Sequence, residues 1–295
     1  MNFNTGQLVN GFKVNKIQDI PELRSKVAIF IHEITEAKVL HIINDDPNNL
    51  FCICFRTPVY NNTGVPHILE HSVLSGSKKY PLKDPFKEMM KGSLQTFMNA
   101  ITYPDKTIYP VSSQVEQDYF NLMDIYCDAV FNPLLTELTF AQEGWHYELD
   151  TPDAPVTIKG IVYNEMKGVF SDFRSHVSRK TISYLFPDTT YYYESGGEPE
   201  HITELSYQQF KEFHEQFYHP SNSLIIFFGN IPSEKTLGHL QNNYLSHFNF
   251  RSVDSKIKAQ PRWDKPRVVQ FSAPASQEDN GTSSVIVSWM FSSST

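Results

Sequence analysis

Three residues of the 295-residue chain, His67, Glu70 and His71, have types and a spacing suited to metal-assisted hydrolysis. On an α-helix, positions i and i+4 lie one turn apart on one face, so His67 and His71 can direct both imidazoles at a single ion. Glu70 stands at i+3 from His67 and borders that face. A carboxylate there can take a proton from a metal-activated water without being a ligand. The order His67-Ile68-Leu69-Glu70-His71 is H-x-x-E-H, the reverse of H-E-x-x-H. Two imidazoles and a water leave a tetrahedral zinc site one protein ligand short. That ligand is expected far along the chain. Two carboxylates compete for the role: Glu165, in Ile161-Val162-Tyr163-Asn164-Glu165-Met166-Lys167-Gly168, and Glu143, in Gln142-Glu143-Gly144-Trp145-His146. Spacing alone excludes neither.

The same trio would also suit a solvated polar helix face. Ile68, Leu69, Val73 and Leu74 make the rest of the segment apolar, however, so the helix is expected in a core. Two histidines and a glutamate buried there without a partner would be costly, and a metal removes that cost.

Elements to position these residues can be read from periodicity. Residues 12–17, 26–34, 38–44 and 51–57 are short, β-rich runs separated by turn residues, which predicts successive strands of an antiparallel sheet. The period then changes. Asn61 to Gly64 reads as a turn and 65–74 as a helix with Pro66 in its first turn, where a missing N–H costs nothing. A short helix is predicted at 86–91, a strand at 96–101 and its hairpin partner at 107–111. Apolar spacing predicts helices over 114–131 and 162–184, and a third over 206–218 with Ser206 as its cap. A strand follows at 223–228. The whole predicts an α+β fold, a mostly antiparallel sheet with helices packed on one face.

The domain reading is a catalytic domain over 1–250, a polar linker with Pro261 and Pro266 over 251–266, and the opening strands of a second α+β domain over 267–295, at 267–271 and 284–291. On this reading the chain is a fragment of a longer protein.

Composition narrows the class. The chain is 40% hydrophobic and carries 25 basic against 33 acidic residues, for a net charge of −8. That describes a globular protein and argues against nucleic acid as a partner. The longest apolar runs, 27–31 and 224–228, are too short to span a bilayer, so no membrane partner is expected. Three cysteines, Cys52, Cys54 and Cys127, and no visible secretory or organelle address fit a reducing compartment. Cys52 and Cys54 share one face of a strand and read as buried thiols rather than a C-x-x-C metal turn.

Longer stretches carry a resemblance. Thr63-Gly64-Val65-Pro66-His67-Ile68-Leu69-Glu70-His71-Ser72-Val73-Leu74-Ser75-Gly76-Ser77 and Phe97-Met98-Asn99-Ala100-Ile101-Thr102-Tyr103-Pro104-Asp105-Lys106-Thr107 are two of them. Gln142-Glu143-Gly144-Trp145-His146, Asn164-Glu165-Met166-Lys167-Gly168, Phe217-Tyr218-His219-Pro220-Ser221-Asn222 and Gly229-Asn230 are others. Together they resemble the pitrilysin-type (M16) zinc metallopeptidases, and within them the presequence-protease subfamily, over nearly the whole chain. The resemblance implies Zn2+ held by His67, His71 and Glu165, with Glu70 as the general base. It implies that Asn99, Ala100, Ile101 and Thr102 form an edge strand to which an unfolded peptide adds, a mode that reads main chain more than side chains. It further implies a clamshell whose later half, the C-terminal half of the same polypeptide, contributes an Arg and a Tyr near the zinc and is absent from these residues. The activity implied is an endopeptidase of unfolded oligopeptides, or else a catalytically silent scaffold or fragment of the same fold. A bacterial cytoplasmic setting is the plain expectation, and a mitochondrial or plastid one if a transit segment has been removed.

Overall fold

Strand-length alternation of apolar residues is the strongest architectural signal in the chain, and it builds one large sheet. The computed structural model describes residues 3–273 and 283–291. The chain opens with β1 (Leu8–Val9), β2 (Phe12–Ile20), β3 (Ser25–His32), β4 (Lys38–Ile43) and β5 (Asn49–Arg56), then helices α1 (Val65–Val73) and α2 (Pro85–Gly92). β6 (Gln95–Met98), β7 (Ile101–Thr102) and β8 (Lys106–Ser113) follow, and after them α3 (Glu116–Phe131) and α4 (Glu137–Glu143). A small hairpin of β9 (His146–Glu148) and β10 (Thr157–Lys159) precedes α5 (Ile161–Ser171), α6 (Phe173–Leu185), α7 (Pro199–Ile202) and α8 (Tyr207–Phe217). Next come β11 (Ser223–Gly229) and α9 (Ser233–Asn243).

The main sheet has the order β1-β2-β3-β4-β11-β5-β8-β6, with β7 also paired to β8. Only β11 with β4 is parallel among these pairs, so the sheet is mostly antiparallel and the fold is α+β. β4 and β5 run in opposite directions, as the short link between them suggests, but they are not neighbours. β11 arrives from far along the chain and pairs with both. The link at residues 44–48 therefore spans two strand spacings, about 10 Å, which five residues cover easily.

Register places Phe51, Ile53 and Phe55 of β5 beside Val111 and Tyr109 of β8 and Phe227 and Ile225 of β11. This face joins Ile68 and Leu69 of α1 and Tyr119, Leu122 and Met123 of α3 in a single core. Each such side chain contributes about 1.5–3 kcal/mol when fully buried, so α1 is held by its apolar face and not by its own nine-residue length. α1 also packs against α4, α8 and β7.

The start of α1 depends on glycine. Gly64 takes φ 69°, and a Cβ there would lie 2.6 Å from the Gly196 carbonyl oxygen and 2.7 Å from Gly197 Cα. Two further bonds tie the loop after α6 to the turn before α1: Glu194 N–H donates to Asn62 Oδ1 (2.9 Å) and Glu198 N–H to the Asn62 carbonyl (2.8 Å).

Three departures from the sequence reading have physical causes. The expected helix over 162–184 is two helices, because the Asp172 side chain accepts from Ser175 N–H at 2.7 Å and caps α6. The expected strand at 96–101 is split into β6 and β7 around Asn99 and Ala100. The stretches 267–271 and 284–291 join no sheet, since no described strand lies beside them to complete their hydrogen bonds. Residues 251–266 have no regular structure, yet they are tied down: Gln260 bonds Asp188 through both ends, at 2.9 and 2.7 Å. Ser206, by contrast, caps α8 as expected, within a full capping box with Gln209.

Gly64→Ala combines a left-handed backbone with a clash against Gly196 and Gly197. It is expected to destabilise the protein by about 1–3 kcal/mol in denaturant unfolding, whereas Gly168→Ala, whose Cβ meets nothing within 4 Å, is not.

Candidate metal centre

The i, i+4 spacing on α1 brings the His67 and His71 rings to 5.0 Å between centroids at 78°. Glu165, one turn into α5, reaches both. Its Oε2 lies 3.7 Å from His67 Nε2 and 3.8 Å from His71 Nε2. These are too long for hydrogen bonds. They are near the roughly 3.3 Å edge expected between ligands about 2.0–2.1 Å from a tetrahedral zinc. Donor atoms of the three residues all lie within 4.8 Å of one another, the one such trio of metal-capable groups among the described residues.

The other nitrogen of each ring has a partner. His67 Nδ1 is 3.2 Å from the Gly196 carbonyl, which can only accept, so Nδ1 carries a proton and Nε2 is the nitrogen left to face Glu165. His71 Nδ1 is 3.3 Å from Glu143 Oε2. Glu143 is itself buried and takes a bond from Gln142 Nε2 at 2.8 Å. Glu143 therefore sits on the far side of the His71 ring from Glu165, where it orients the imidazole. The donor set, two imidazoles and a carboxylate with a partner on each outer ring nitrogen, fits a zinc ion.

Burial disfavours charge on His71, but the bond to Glu143 and the fields of Glu70, Glu143 and Glu165 outweigh it. The net effect raises its pKa above the ordinary 6.5.

Beside the trio opens a cavity of about 500 Å³ lined by Glu70, His71, Asn99, Ala100, Glu143 and Phe86, among others. A slightly larger hollow, about 560 Å³, lies between α6 and the extended stretch from Trp263, away from the metal-capable residues. The chemistry therefore belongs to the smaller one. β6 and β7 form the outer rim of the sheet next to β8, so among the described residues the stretch from Asn99 to Thr102 pairs with no further strand, and Asn99 and Ala100 line the cavity. Asn99 N–H and Tyr103 N–H bond inward to Pro110 and Lys106 carbonyls at 3.1 and 2.8 Å. By alternation, Ala100 and Thr102 turn their amides outward, and Ala100 N–H meets only the Asn99 side chain, at 3.0 Å.

Sequence reasoning named every candidate donor but missed their supports. It weighed Glu143 as a ligand rather than as the partner of His71. It did not single out Gly196, although the Gly196-Gly197 pair marks a place of close backbone approach.

Comparison with known proteins bears on the family and the fold. Residues 58–156 match the family described as Insulinase (Peptidase family M16), and residues 204–294 match the Peptidase M16 inactive domain. The first stretch holds His67, Glu70, His71 and Glu143, while Glu165 lies between the two. The chain is 47% identical over 273 residues to Protein HypA of Clostridium perfringens, covering 92% of this chain and 28% of that protein. It is 45% identical over 275 residues to the mitochondrial presequence protease of Xenopus laevis, covering 92% and 27%. For the chloroplastic/mitochondrial presequence protease 1 of Arabidopsis thaliana the values are 46% over 272 residues, 91% and 25%. The chain thus spans about a quarter of the length of these relatives. The crystal structure of pitrilysin shares the fold, with a TM-score of 0.62 at 18% identity over 88% of this chain and 26% of that one. Among the described residues no helix is long and apolar enough to cross a membrane.

Two outcomes follow for His71. In the metal-free protein its pairing with Glu143 contributes stability fully below the unfolded pKa of about 6.5, lost as pH rises through the raised folded value. Metal binding runs the other way, strengthening over the same window as the ring deprotonates. Glu143→Gln is expected to lower the His71 pKa, read by NMR titration of the metal-free protein, and to weaken zinc binding about 10–100-fold.

Proposed function

The chain belongs to peptidase family M16, and from that premise we propose that it carries the catalytic centre of a zinc-dependent endopeptidase of unfolded oligopeptides. One observation carries this reading: His67, His71 and Glu165 converge within 4.8 Å beside a cleft that also holds Glu70 and a free sheet edge. Zinc at such a site supplies Lewis acidity for a water and for the scissile carbonyl. Glu70 accepts the proton of the attacking water and returns it to the leaving amine. The Gly196 carbonyl and the Glu143 carboxylate engage the Nδ1 atoms of His67 and His71, which leaves each Nε2 turned toward Glu165 as the nitrogen that would hold the ion.

The peptide adds as a strand along Asn99 to Thr102, using the outward amides of Ala100 and Thr102. Main-chain pairing makes side-chain identity secondary, which suits a broad range of unfolded peptides. The names of the relatives, presequence proteases, support the peptide as substrate class. In this reading residues 1–250 form the catalytic domain, 251–266 a linker and 267–295 the start of a further domain, with the rest of a longer polypeptide closing over the cleft. A scaffold of the same fold is the second reading, and the retention of all four of His67, Glu70, His71 and Glu165 favours the enzyme.

In the full-length protein, Glu70→Gln is expected to bind zinc like the parent and to lose about 10²–10⁴-fold in turnover of a fluorogenic peptide. Parent-like turnover would overturn the role given to Glu70. Ala100→Pro removes one outward amide without touching a bond to β8, so it should raise KM for peptides and leave zinc content unchanged.

A further inference from the structure

Two carboxylates near the metal centre, Glu194 and Glu198, have side chains only 19% and 17% exposed. One guanidinium answers both. Arg179 Nη1 lies 2.7 Å from Glu198 Oε1, and its Nε lies 3.5 Å from Glu194 Oε2. The guanidinium carbon also lies over the Phe170 ring, 4.4 Å from its centroid. Arg179 is itself 14% exposed, so these charges meet largely out of water, where removal of one partner is costly.

What this cluster joins gives it meaning. Glu194 Oε1 accepts from Gly196 N–H at 3.0 Å, and the Gly196 carbonyl accepts from His67 Nδ1 at 3.2 Å. The carboxylate end of the cluster therefore fixes the backbone that aims His67. Phe170, under the guanidinium, belongs to α5, the helix that presents Glu165. Arg179 thus touches the loop behind one candidate ligand and the helix behind another.

We propose that Arg179 is a positioning residue of the metal centre: it clamps the Glu194–Glu198 loop to Phe170 of α5 and so sets the spacing between His67 and Glu165. The proposal rests on the reading of His67, His71 and Glu165 as metal ligands. A planar, delocalised cation can face two carboxylates from different nitrogens while its carbon sits over a ring, so lysine is a poor substitute here. Without the cation, two half-buried carboxylates lose the guanidinium between them and the loop moves toward water to hydrate them. The Gly196 carbonyl goes with it.

The test uses the full-length protein. Arg179→Met keeps an aliphatic stem over Phe170 and removes the charge. Zinc affinity by chelator competition is expected to fall about ten- to a hundred-fold, and the visible absorption of the cobalt-loaded protein to change. Glu194→Ala should do the same, and the double variant should lose little more than either single one, since both act through Gly196. A merely structural role would lower the melting temperature of the metal-free protein and leave zinc affinity and the cobalt spectrum as in the parent. That result overturns the proposal. If Arg179→Met does not fold, Glu194→Gln carries the test, because it keeps an acceptor for Gly196 N–H and deletes the charge. Weaker zinc binding then supports the clamp, and parent-like binding overturns it. A parent protein that binds no zinc overturns the metal reading and the clamp together, whereas a zinc-binding parent with an unaffected Arg179→Met overturns the clamp alone.

Discussion

An imidazole presents one nitrogen to a metal reliably only when the other is held elsewhere. His67 and His71 both meet this condition, through the Gly196 carbonyl and the Glu143 carboxylate. Much of the architecture around α1 serves these two contacts. The first needs two glycine-bearing backbones in van der Waals contact, so Gly64 and the Gly196-Gly197 turn meet where no Cβ fits. The second needs a buried carboxylate at the end of α4, and α4 packs directly on α1. The two rings are therefore aimed from opposite sides by elements distant in sequence.

The helix that carries them lies where the sheet ends. Among the described residues β8 is covered on its outer side only by the short, interrupted β6 and β7, and the amides of Ala100 and Thr102 on that rim pair with no further strand. Elsewhere a free edge invites unwanted pairing, and proteins tend to blunt it. Here the break at Asn99 and Ala100 shortens the edge while leaving it open beside Glu70 and His71. Under the proposed function, a peptide pairing there would pass the candidate centre without a side-chain pocket.

The electrostatics of the region are dominated by carboxylates. Glu70, Glu143 and Glu165 all favour a proton on His71, and Glu194 and Glu198 lie behind His67. A divalent cation would relieve this crowding at the front, as Arg179 does at the back. The overall charge of −8 has the same sign as this local field.

Local periodicity made part of this legible. An i, i+3, i+4 pattern places His67, Glu70 and His71 on one side of any helix, and the Ser206 cap and the strand alternation are likewise matters of nearest neighbours. The α+β class follows from the same signals. The break at Asp172 was equally local, but a cap inside an apolar period competes with continuation of the helix, and periodicity alone does not rank the two. The insertion of β11 between β4 and β5 was hidden because pairing depends on which strand arrives, not on what any strand contains. So was the division of labour between Glu143 and Glu165. Both are carboxylates at helical positions, and their sequence spacing from His71 says nothing about which side of its ring each reaches. Sequence by itself determined the donor types and the face they share. Only the tertiary path of the chain decided which carboxylate meets Nε2, which meets Nδ1, and that a backbone carbonyl at Gly196 completes the arrangement, because those contacts join residues about a hundred positions apart through packing that no local pattern encodes.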